Sequence, residues 1–190
     1  NVLNVGDRML LGVVTEPVRH DLRLSDTQMA LANGLLFVLF NLIAGLFIAR
    51  LVDRGNRVRI LTLGIAAWSL ATAATGFASN FSTLALARLG VGIGEATAFP
   101  AVMSLIPDLF RPQVRGTAVG VFQSSSFIGI VGGTVLAGVL AAALEWRPMF
   151  IVCGLAGMVL ATLVVLTVRE PSREVPLDPT ANDGGWLAGM

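Results

Sequence analysis

The sequence contains no lysine and is short of charge of either sign. Only 13% of its 190 residues are charged and 55% are hydrophobic, with a mean hydropathy of +0.79, whereas ordinary soluble domains carry about 25% charged residues. This deficit excludes a soluble globular protein and indicates an integral membrane protein. The net charge of +1 argues against nucleic acid or another polyanion as a partner. Because all 13 basic residues are arginine, we attribute the absence of lysine to genomic base composition.

Cysteine and histidine occur once each, as Cys153 and His20. A lone cysteine forms neither an internal disulfide nor a cysteine metal pair, and we interpret it as a small core residue. His20 lies in a short loop outside the apolar runs, so no histidine base is available at membrane depth for an intramembrane serine protease. The sequence also lacks a carbonyl filter motif or a ring of acidic residues, which argues against a channel. We therefore expect no enzyme, no cofactor and no metal site.

Six apolar runs dominate the sequence. About 20 such residues cross a hydrocarbon core of about 30 Å, so the runs predict an all-α, six-helix transmembrane bundle over residues 1–168. The helices are expected over about 1–18, 27–52, 58–77, 81–106, 116–144 and 149–168. Residues 169–190 predict a linker, at whose end Trp186, Leu187 and Met190 would begin a further element. Since the first run is already under way at residue 1, we expect the sequence to begin inside a longer protein.

Arginine is distributed unevenly between the two sides of this predicted bundle. Basic residues accumulate at the cytoplasmic ends of membrane helices. Eight arginines flank the loops after the second, fourth and sixth runs and three lie on the other side, namely Arg50, Arg54, Arg57, Arg59, Arg111, Arg115, Arg169 and Arg173 against Arg19, Arg23 and Arg147. We therefore expect the N-terminus and residues 169–190 in the cytoplasm, and we expect the membrane to be a bacterial inner membrane.

Four charged residues lie in the interior of the predicted membrane helices, away from the helix ends, namely Asp7, Arg8, Arg88 and Glu95. A charge at the bilayer centre costs about 2.5–3.5 kcal/mol on insertion scales, so such residues mark functional sites. Arg88 and Glu95 are seven residues apart, close to two helical turns, and project from nearly one face. The neighbours Asp7 and Arg8 point about 100° apart, so each needs another partner. If the two helices pack together, the four charges neutralise one another, and a purely structural cluster is the alternative to a functional site.

The glycines between Arg88 and Glu95 have the spacing GxGxG. They do not predict a dinucleotide site, because the final glycine, a preceding strand and an acidic ribose ligand are missing. Small residues at this spacing let helix backbones approach closely in lipid, as we also expect for Gly116 with Gly120 and for Gly129 with Gly133.

A dense cationic turn with one carboxylate follows the second run, from Ala49 to Arg59. It resembles the signature of the major facilitator superfamily between helices 2 and 3, with Asp53, Arg54 and Arg57 on the charged positions. Ala49 and Asn56 stand where that signature usually has glycine. The resemblance implies a cytoplasmic latch between the two halves of a transporter, whose second half is absent from this chain. A simple positive-inside loop is the alternative.

Further segments agree with this resemblance in the right order along almost the whole chain. They are the Arg88–Glu95 segment, which is similar to the helix 4 signature, the 108–116 loop, the 145–147 turn and the 169–171 exit from the sixth run. Asp7-Arg8 together with the GxGE of the fourth run resembles the spinster-like branch. Gly132-Gly133 is followed by Thr134 rather than the proline of the antiporter signature, which argues against drug antiport.

The resemblance implies the N-terminal half of a twelve-helix transporter that works by alternating access, with the C-terminal half, the lipid bilayer and a small-molecule substrate as partners. We predict that Asp7 and Glu95 bind and release protons, with Arg8 and Arg88 as charge partners. Further cavity candidates are Asn4, Asn33, Phe37, Phe40, Asn41 and Gln123. The expected solute is small, organic and amphipathic or anionic, with lysolipids implied by the spinster resemblance. A facilitative uniporter and a non-transporting receptor or scaffold of the same fold are the alternatives.

Overall fold

The computed structural model describes residues 2–171, and over this range the chain is helical without a strand. The helices are α1 (Val2–Val13), α2 (Thr15–Asp21), α3 (Asp26–Ala30), a π-helical turn (Leu31–Leu35), α4 (Leu36–Arg54), α5 (Arg57–Thr75), α6 (Phe81–Glu95), α7 (Ala98–Leu109), α8 (Pro112–Ala143) and α9 (Trp146–Thr167). They form six rods, because α1 continues into α2, α3 runs through the π-helical turn into α4, and α6 continues into α7. The predicted all-α bundle is confirmed.

Five of these rods are long and apolar enough to cross a membrane. They are Asp26–Arg54, Arg57–Thr75, Phe81–Leu109, Pro112–Ala143 and Trp146–Thr167. The first predicted run corresponds to α1 and α2, which are 12 and 7 residues long and are separated at Val14. Large apolar side chains are exposed along the rods, as with Leu46, Leu63 and Phe127, which suits contact with lipid. The part of the predicted linker from 172 to 190 lies outside the described residues.

Two of the rods are interrupted near the residue that lies four positions before a proline. A proline lacks the N–H that would bond to the carbonyl four residues earlier, and its ring clashes with that carbonyl. Pro17 explains in this way why α1 ends at Val13, and Pro100 explains the turn at Ala96 between α6 and α7. The predicted fourth helix therefore consists of two helices, and its break directly follows Glu95.

Polar side chains fix where several helices begin. Ser25 accepts a hydrogen bond from the Gln28 N–H at 3.2 Å while the Gln28 side chain accepts one from the Ser25 N–H at 2.9 Å, which is a capping box. Asn56 accepts a bond from the Arg59 N–H at 2.7 Å at the start of α5. Asn56, which stands where the expected signature usually has glycine, is therefore the N-cap of α5.

The most extensive contacts between helices are those of α1 with α8 and of α5 with α9 and α6. In the first pair a Cβ atom on Gly133 would collide with the backbone of Gly6, and one on Gly129 would lie 2.7 Å from the Val2 carbonyl oxygen. Gly129 and Gly133 thus allow the close approach expected from their spacing. Gly116 and Gly120 have open space where their Cβ atoms would be, so the expected close packing at that pair is wrong for residues 2–171.

Arg147 contacts three segments of the chain at one end of the bundle. Its guanidinium donates to the carboxylate of Asp21 at 2.9 Å and to the carbonyl oxygen of Ala78 at 2.7 Å. It also lies 4.3 Å above the ring of Trp146. The loops after α2 and α5 are in this way tied to the start of α9.

Candidate functional site

Arg8 and Glu95 form an ion pair between α1 and α6. The Nε of Arg8 donates to Oε2 of Glu95 at 2.8 Å. The Glu95 side chain is 0% exposed, whereas that of Arg8 is 41% exposed. Within the described part of the chain, Oε1 of Glu95 has no hydrogen-bond partner. A buried carboxylate is thus held through one oxygen by a cation that remains accessible from outside the bundle.

Asp7 lies on a different side of α1 from its neighbour Arg8. Its carboxylate is buried and accepts a hydrogen bond from the hydroxyl of Thr72 on α5 at 2.7 Å. The structure therefore gives the two carboxylates predicted to carry protons separate partners, a hydroxyl for Asp7 and a guanidinium for Glu95.

Arg88 is buried between these carboxylates with an incomplete set of hydrogen bonds. Its Nε and Nη1 have no hydrogen-bond partner among residues 2–171, although both Asp7 and Glu95 attract its charge. Its guanidinium carbon lies 5.4 Å from the ring centroid of Phe37, and that of Arg8 lies 5.0 Å from the same centroid. The four charged residues and Phe37 thus form one group, here called the charge cluster.

A cavity of about 540 Å³ opens beside the charge cluster, between α1, α4, α7 and α8. Its wall includes Asn4, Arg8, Asn41, Glu95, Phe99 and Phe122. Nδ2 of Asn4 is buried and has no partner within residues 2–171, while Nδ2 of Asn41 donates to the Gly92 carbonyl at 2.8 Å. The rings of Phe99 and Phe122 are 6.3 Å apart. The wall of the cavity therefore combines charged and polar groups with two aromatic rings.

The other predicted cavity residues lie elsewhere. Phe37 is 5% exposed and packed within the charge cluster. Asn33 belongs to the π-helical turn and donates to the Thr15 hydroxyl at 3.4 Å. Phe40 and Gln123 are exposed, and neither they nor Phe37 and Asn33 line this cavity.

The predicted latch residues differ in their surroundings. Asp53 and Arg54 are exposed at the end of α4, whereas Arg57, the first residue of α5, has a side chain only 3% exposed. Arg57 forms ion pairs with Asp108 at the end of α7 and with Glu170 beyond α9, the latter at 2.7 Å. These three residues are here called the Arg57 network.

Backbone groups complete the Arg57 network. The guanidinium donates to the carbonyl oxygens of Ser104 at 3.0 Å and Pro171 at 3.1 Å, and the Val58 N–H donates to Glu170 at 2.8 Å. Burial raises the pKa of the Glu170 carboxyl, but the bonds from Val58 and Arg57 outweigh it, so that this pKa lies below its ordinary value. Glu170 is therefore held as a carboxylate, and Arg57 joins the ends of the third, fourth and sixth rods.

Sequence reasoning did not identify Thr72, or the roles of Asp108 and Glu170 as partners of Arg57. A signal for Thr72 existed, because Thr62, Ser69, Thr72 and Thr75 follow helical spacing within an apolar run and all four are buried. Such a polar stripe indicates a face turned toward the protein interior. The acidic partners of Arg57 are 51 and 113 residues away, and no local pattern gives that pairing.

Comparison with known proteins identifies the class. The Major Facilitator Superfamily profile matches residues 1–188, so the chain belongs to this family of membrane transporters. Within the family, the fold closely matches a crystal structure described as a bacterial homolog to the human lysosomal transporter Spinster, in an inward-facing and unoccupied conformation. The TM-score is 0.85 at 32% identity, covering 96% of this chain and 44% of the other. The predicted superfamily and spinster-like branch are confirmed, and the chain corresponds to the N-terminal half of the fold.

Two sequence relatives are 36% identical to this chain. One is described as an MFS-type efflux pump of Mycolicibacterium smegmatis, aligned over 188 residues that make up 97% of this chain and 43% of the relative. The other is described as a probable L-galactonate transporter of Escherichia coli strain K12, aligned over 163 residues, 84% of this chain and 35% of the relative. The chain spans less than half the length of these curated relatives.

Proposed function

We propose that the protein to which this chain belongs moves a small organic anion across a bacterial inner membrane by alternating access, coupled to protons and without covalent change of the solute. The observation that carries the proposal is the Arg8–Glu95 ion pair at the wall of the 540 Å³ cavity. Arg8 reaches the cavity while its partner is buried, so an anion that enters competes with Glu95 for the same guanidinium.

This competition supplies a mechanism of coupling. When Glu95 takes up a proton it no longer holds Arg8 as an ion pair, and Arg8 becomes available to the anionic group of a solute. Loss of that proton restores the pair and displaces the solute, because two anions compete for one cation. Asp7, which accepts a hydrogen bond from Thr72 and lies near Arg88, is the second proton site, and it neutralises this guanidinium only while it is a carboxylate.

The cavity wall defines the chemistry of the solute. Arg8 offers one fixed cation and Asn4 an amide donor without a partner in residues 2–171, which suits a carboxylate or another anionic head group. Phe99 and Phe122, which also line the cavity, suit an apolar or ring-shaped body. Relatives described as sugar-acid transporters and as spinster homologs support solutes that range from acidic sugars to amphipathic anions.

Alternating access requires a second half, and we place the site at the interface with it. In this proposal Asp53 and Arg54, exposed at the end of α4, face the C-terminal half as the cytoplasmic latch. Arg57 fixes the base of that latch through its pairs with Asp108 and Glu170. The Arg57 network then marks the cytoplasmic end of the bundle, and Arg147 marks the outer end.

The experiment is solute uptake by the full-length protein in proteoliposomes, with and without an imposed pH gradient, across acidic sugars and lysolipids. We expect the gradient to stimulate uptake in the wild type and not in Glu95→Gln or Asp7→Asn. The matched control is Glu16→Gln, because Glu16 is an exposed carboxylate that pairs with Arg19 outside the cavity. Gradient-independent uptake in all variants would instead establish a facilitative uniporter, and absence of uptake of every solute would favour a receptor or scaffold.

Labelling with a membrane-impermeant thiol reagent tests the proposed orientation. Cys153, the single cysteine of these 190 residues, is first replaced by alanine, as is any cysteine in the rest of the full-length protein. In intact cells we expect Ser25→Cys, in the loop before α3, to react, and Gln113→Cys, at the start of α8, to react only after lysis. The opposite pattern would reverse the assigned orientation.

A further inference from the structure

We propose that Phe37 is a positioning residue of the charge cluster, whose ring holds the guanidiniums of Arg8 and Arg88 on two different helices. The ring is carried on α4, Arg8 on α1 and Arg88 on α6. Three of the rods therefore meet at one aromatic side chain. The proposal rests on the proposed transport function only for one of the two measurements that test it.

The distances place Phe37 next to two cations, of which Arg88 is buried and Arg8 has a side chain that is 41% exposed. The guanidinium carbons of Arg8 and Arg88 lie 5.0 Å and 5.4 Å from the ring centroid, within the roughly 6 Å over which a ring face attracts a cation. Phe37 is 5% and Arg88 2% exposed, so water does not screen the contact between this ring and the Arg88 guanidinium. Nε and Nη1 of Arg88 have no hydrogen-bond partner within residues 2–171, which leaves the π face as a close contact that offsets its burial.

The backbone around Phe37 holds the ring in this position. The π-helical turn Leu31–Leu35 ends directly before α4 begins at Leu36, and such a turn inserts an extra residue that rotates the next helical segment about its axis. On α6 the absence of a side chain at Gly92 admits the ring, since a Cβ there would lie 3.1 Å from the Phe37 carbonyl oxygen and 3.4 Å from the ring. One turn further along α4, Asn41 donates to the Gly92 carbonyl at 2.8 Å. Gly92 on α6 thus contacts α4 both at Phe37 and one turn further along at Asn41, and these two contacts hold the two helices together around the ring.

Charge distribution explains why an aromatic residue matters here. The second rod carries no charged residue between Asp26 and Arg50, so this part of α4 supplies no ion to the cluster. The two guanidiniums over the ring come from other elements, Arg8 from α1 and Arg88 from α6. Through Phe37, α4 contacts both of them, and any shift of α4 therefore changes the surroundings of both guanidiniums together.

The test distinguishes the electrostatic attraction of the π face from the packing of the ring. In the full-length protein, Phe37 is replaced by phenylalanines with one, two and three ring fluorines, which weaken the negative face while almost preserving the volume. Phe37→Leu removes the face and Phe37→Trp restores it. The matched control is the same series at Phe47, which lies on α4 and is 65% exposed.

Two measurements are made on each variant. Thermal unfolding of the purified full-length protein requires no transport, and we expect its midpoint to fall with each added fluorine at Phe37 but not at Phe47. Uptake in proteoliposomes should fall on the order of tenfold in Phe37→Leu, the loss expected for a desolvated cation–π contact, with substantial recovery in Phe37→Trp.

The outcomes distinguish this inference from the proposed function. An unfolding midpoint that does not depend on fluorination at Phe37 overturns the inference whether or not the wild type transports any solute. A normal uptake rate in Phe37→Leu, with an active wild type, overturns it as well. A wild type inactive toward every solute contradicts the proposed function alone, and the unfolding series then decides the role of the ring.

Discussion

Replacement of Arg57 by methionine tests whether the Arg57 network contributes strongly to the free energy of unfolding of the bundle. The side chain of Arg57 is 3% exposed, and its partners Asp108 and Glu170 are 17% and 23% exposed. Removing one member of a buried ion pair costs about 3–5 kcal/mol, because the remaining charge stays buried without compensation. Since both carboxylates keep some access to water, we expect a loss near the lower end, about 3 kcal/mol in the free energy of unfolding.

The assay is reversible unfolding of the full-length protein in mixed micelles, with Arg59→Met as the matched control. Arg59 is exposed in the same turn, and an exposed ion pair contributes at most about 1 kcal/mol. Adding Asp108→Asn and Glu170→Gln to Arg57→Met should recover part of the lost stability, because removing all the charges also removes the uncompensated ones. A loss below about 1 kcal/mol in Arg57→Met, equal to that of the control, would refute the reasoning.

Two further predictions concern packing and pH. Gly133→Ala should destabilise the protein by about 1–3 kcal/mol, as overpacking does, because the added Cβ would collide with Gly6. The control is Gly132→Ala, whose Cβ would have nothing within 4 Å and which should be neutral or slightly stabilising. Equal unfolding midpoints for the two variants would contradict the close packing at Gly133. Because the pKa of Glu170 is lowered in the folded protein, its stabilising contribution is complete above about pH 4.3 and is lost as pH falls through the lowered pKa. The stability difference between the wild type and Glu170→Gln should therefore shrink on acidification, and a constant difference down to about pH 3 would count against this assignment.

The fold follows from the sequence to the extent that it depends on local pattern. The apolar runs predicted the helical rods, and the arginine-rich turn and the GxGE segment indicated the family. The breaks were not predicted, although Pro17 and Pro100 signal them through the missing N–H and the clash with the preceding turn. The π-helical turn at Leu31–Leu35 has no comparable local signal.

The site was predictable in its charged members but not in their pairing. The free-energy cost of placing a charge inside the membrane was enough to identify Asp7, Arg8, Arg88 and Glu95 as candidates, without any knowledge of their contacts. Their partners depend on how distant rods meet, so the pairing of Glu95 with Arg8, 87 residues away, could not be read from spacing. The proton-carrying roles of Asp7 and Glu95 stay predictions until uptake is measured.

This half consists of two closely packed groups of helices, α1 with α8 and α5 with α6 and α9, and the boundary between the two groups is here called the seam. α1 is packed closely on α8 and has few contacts with α9, while α5 is joined extensively to both α6 and α9. Across that seam run two polar bridges, from Arg8 to Glu95 and from Thr72 to Asp7. An apolar core that includes Leu11, Leu84 and Phe150 joins the same two groups of helices. The two polar bridges are therefore the part of this joint that depends on charge, and a change in the charge of Asp7 or Glu95 acts directly on the contact between the two groups.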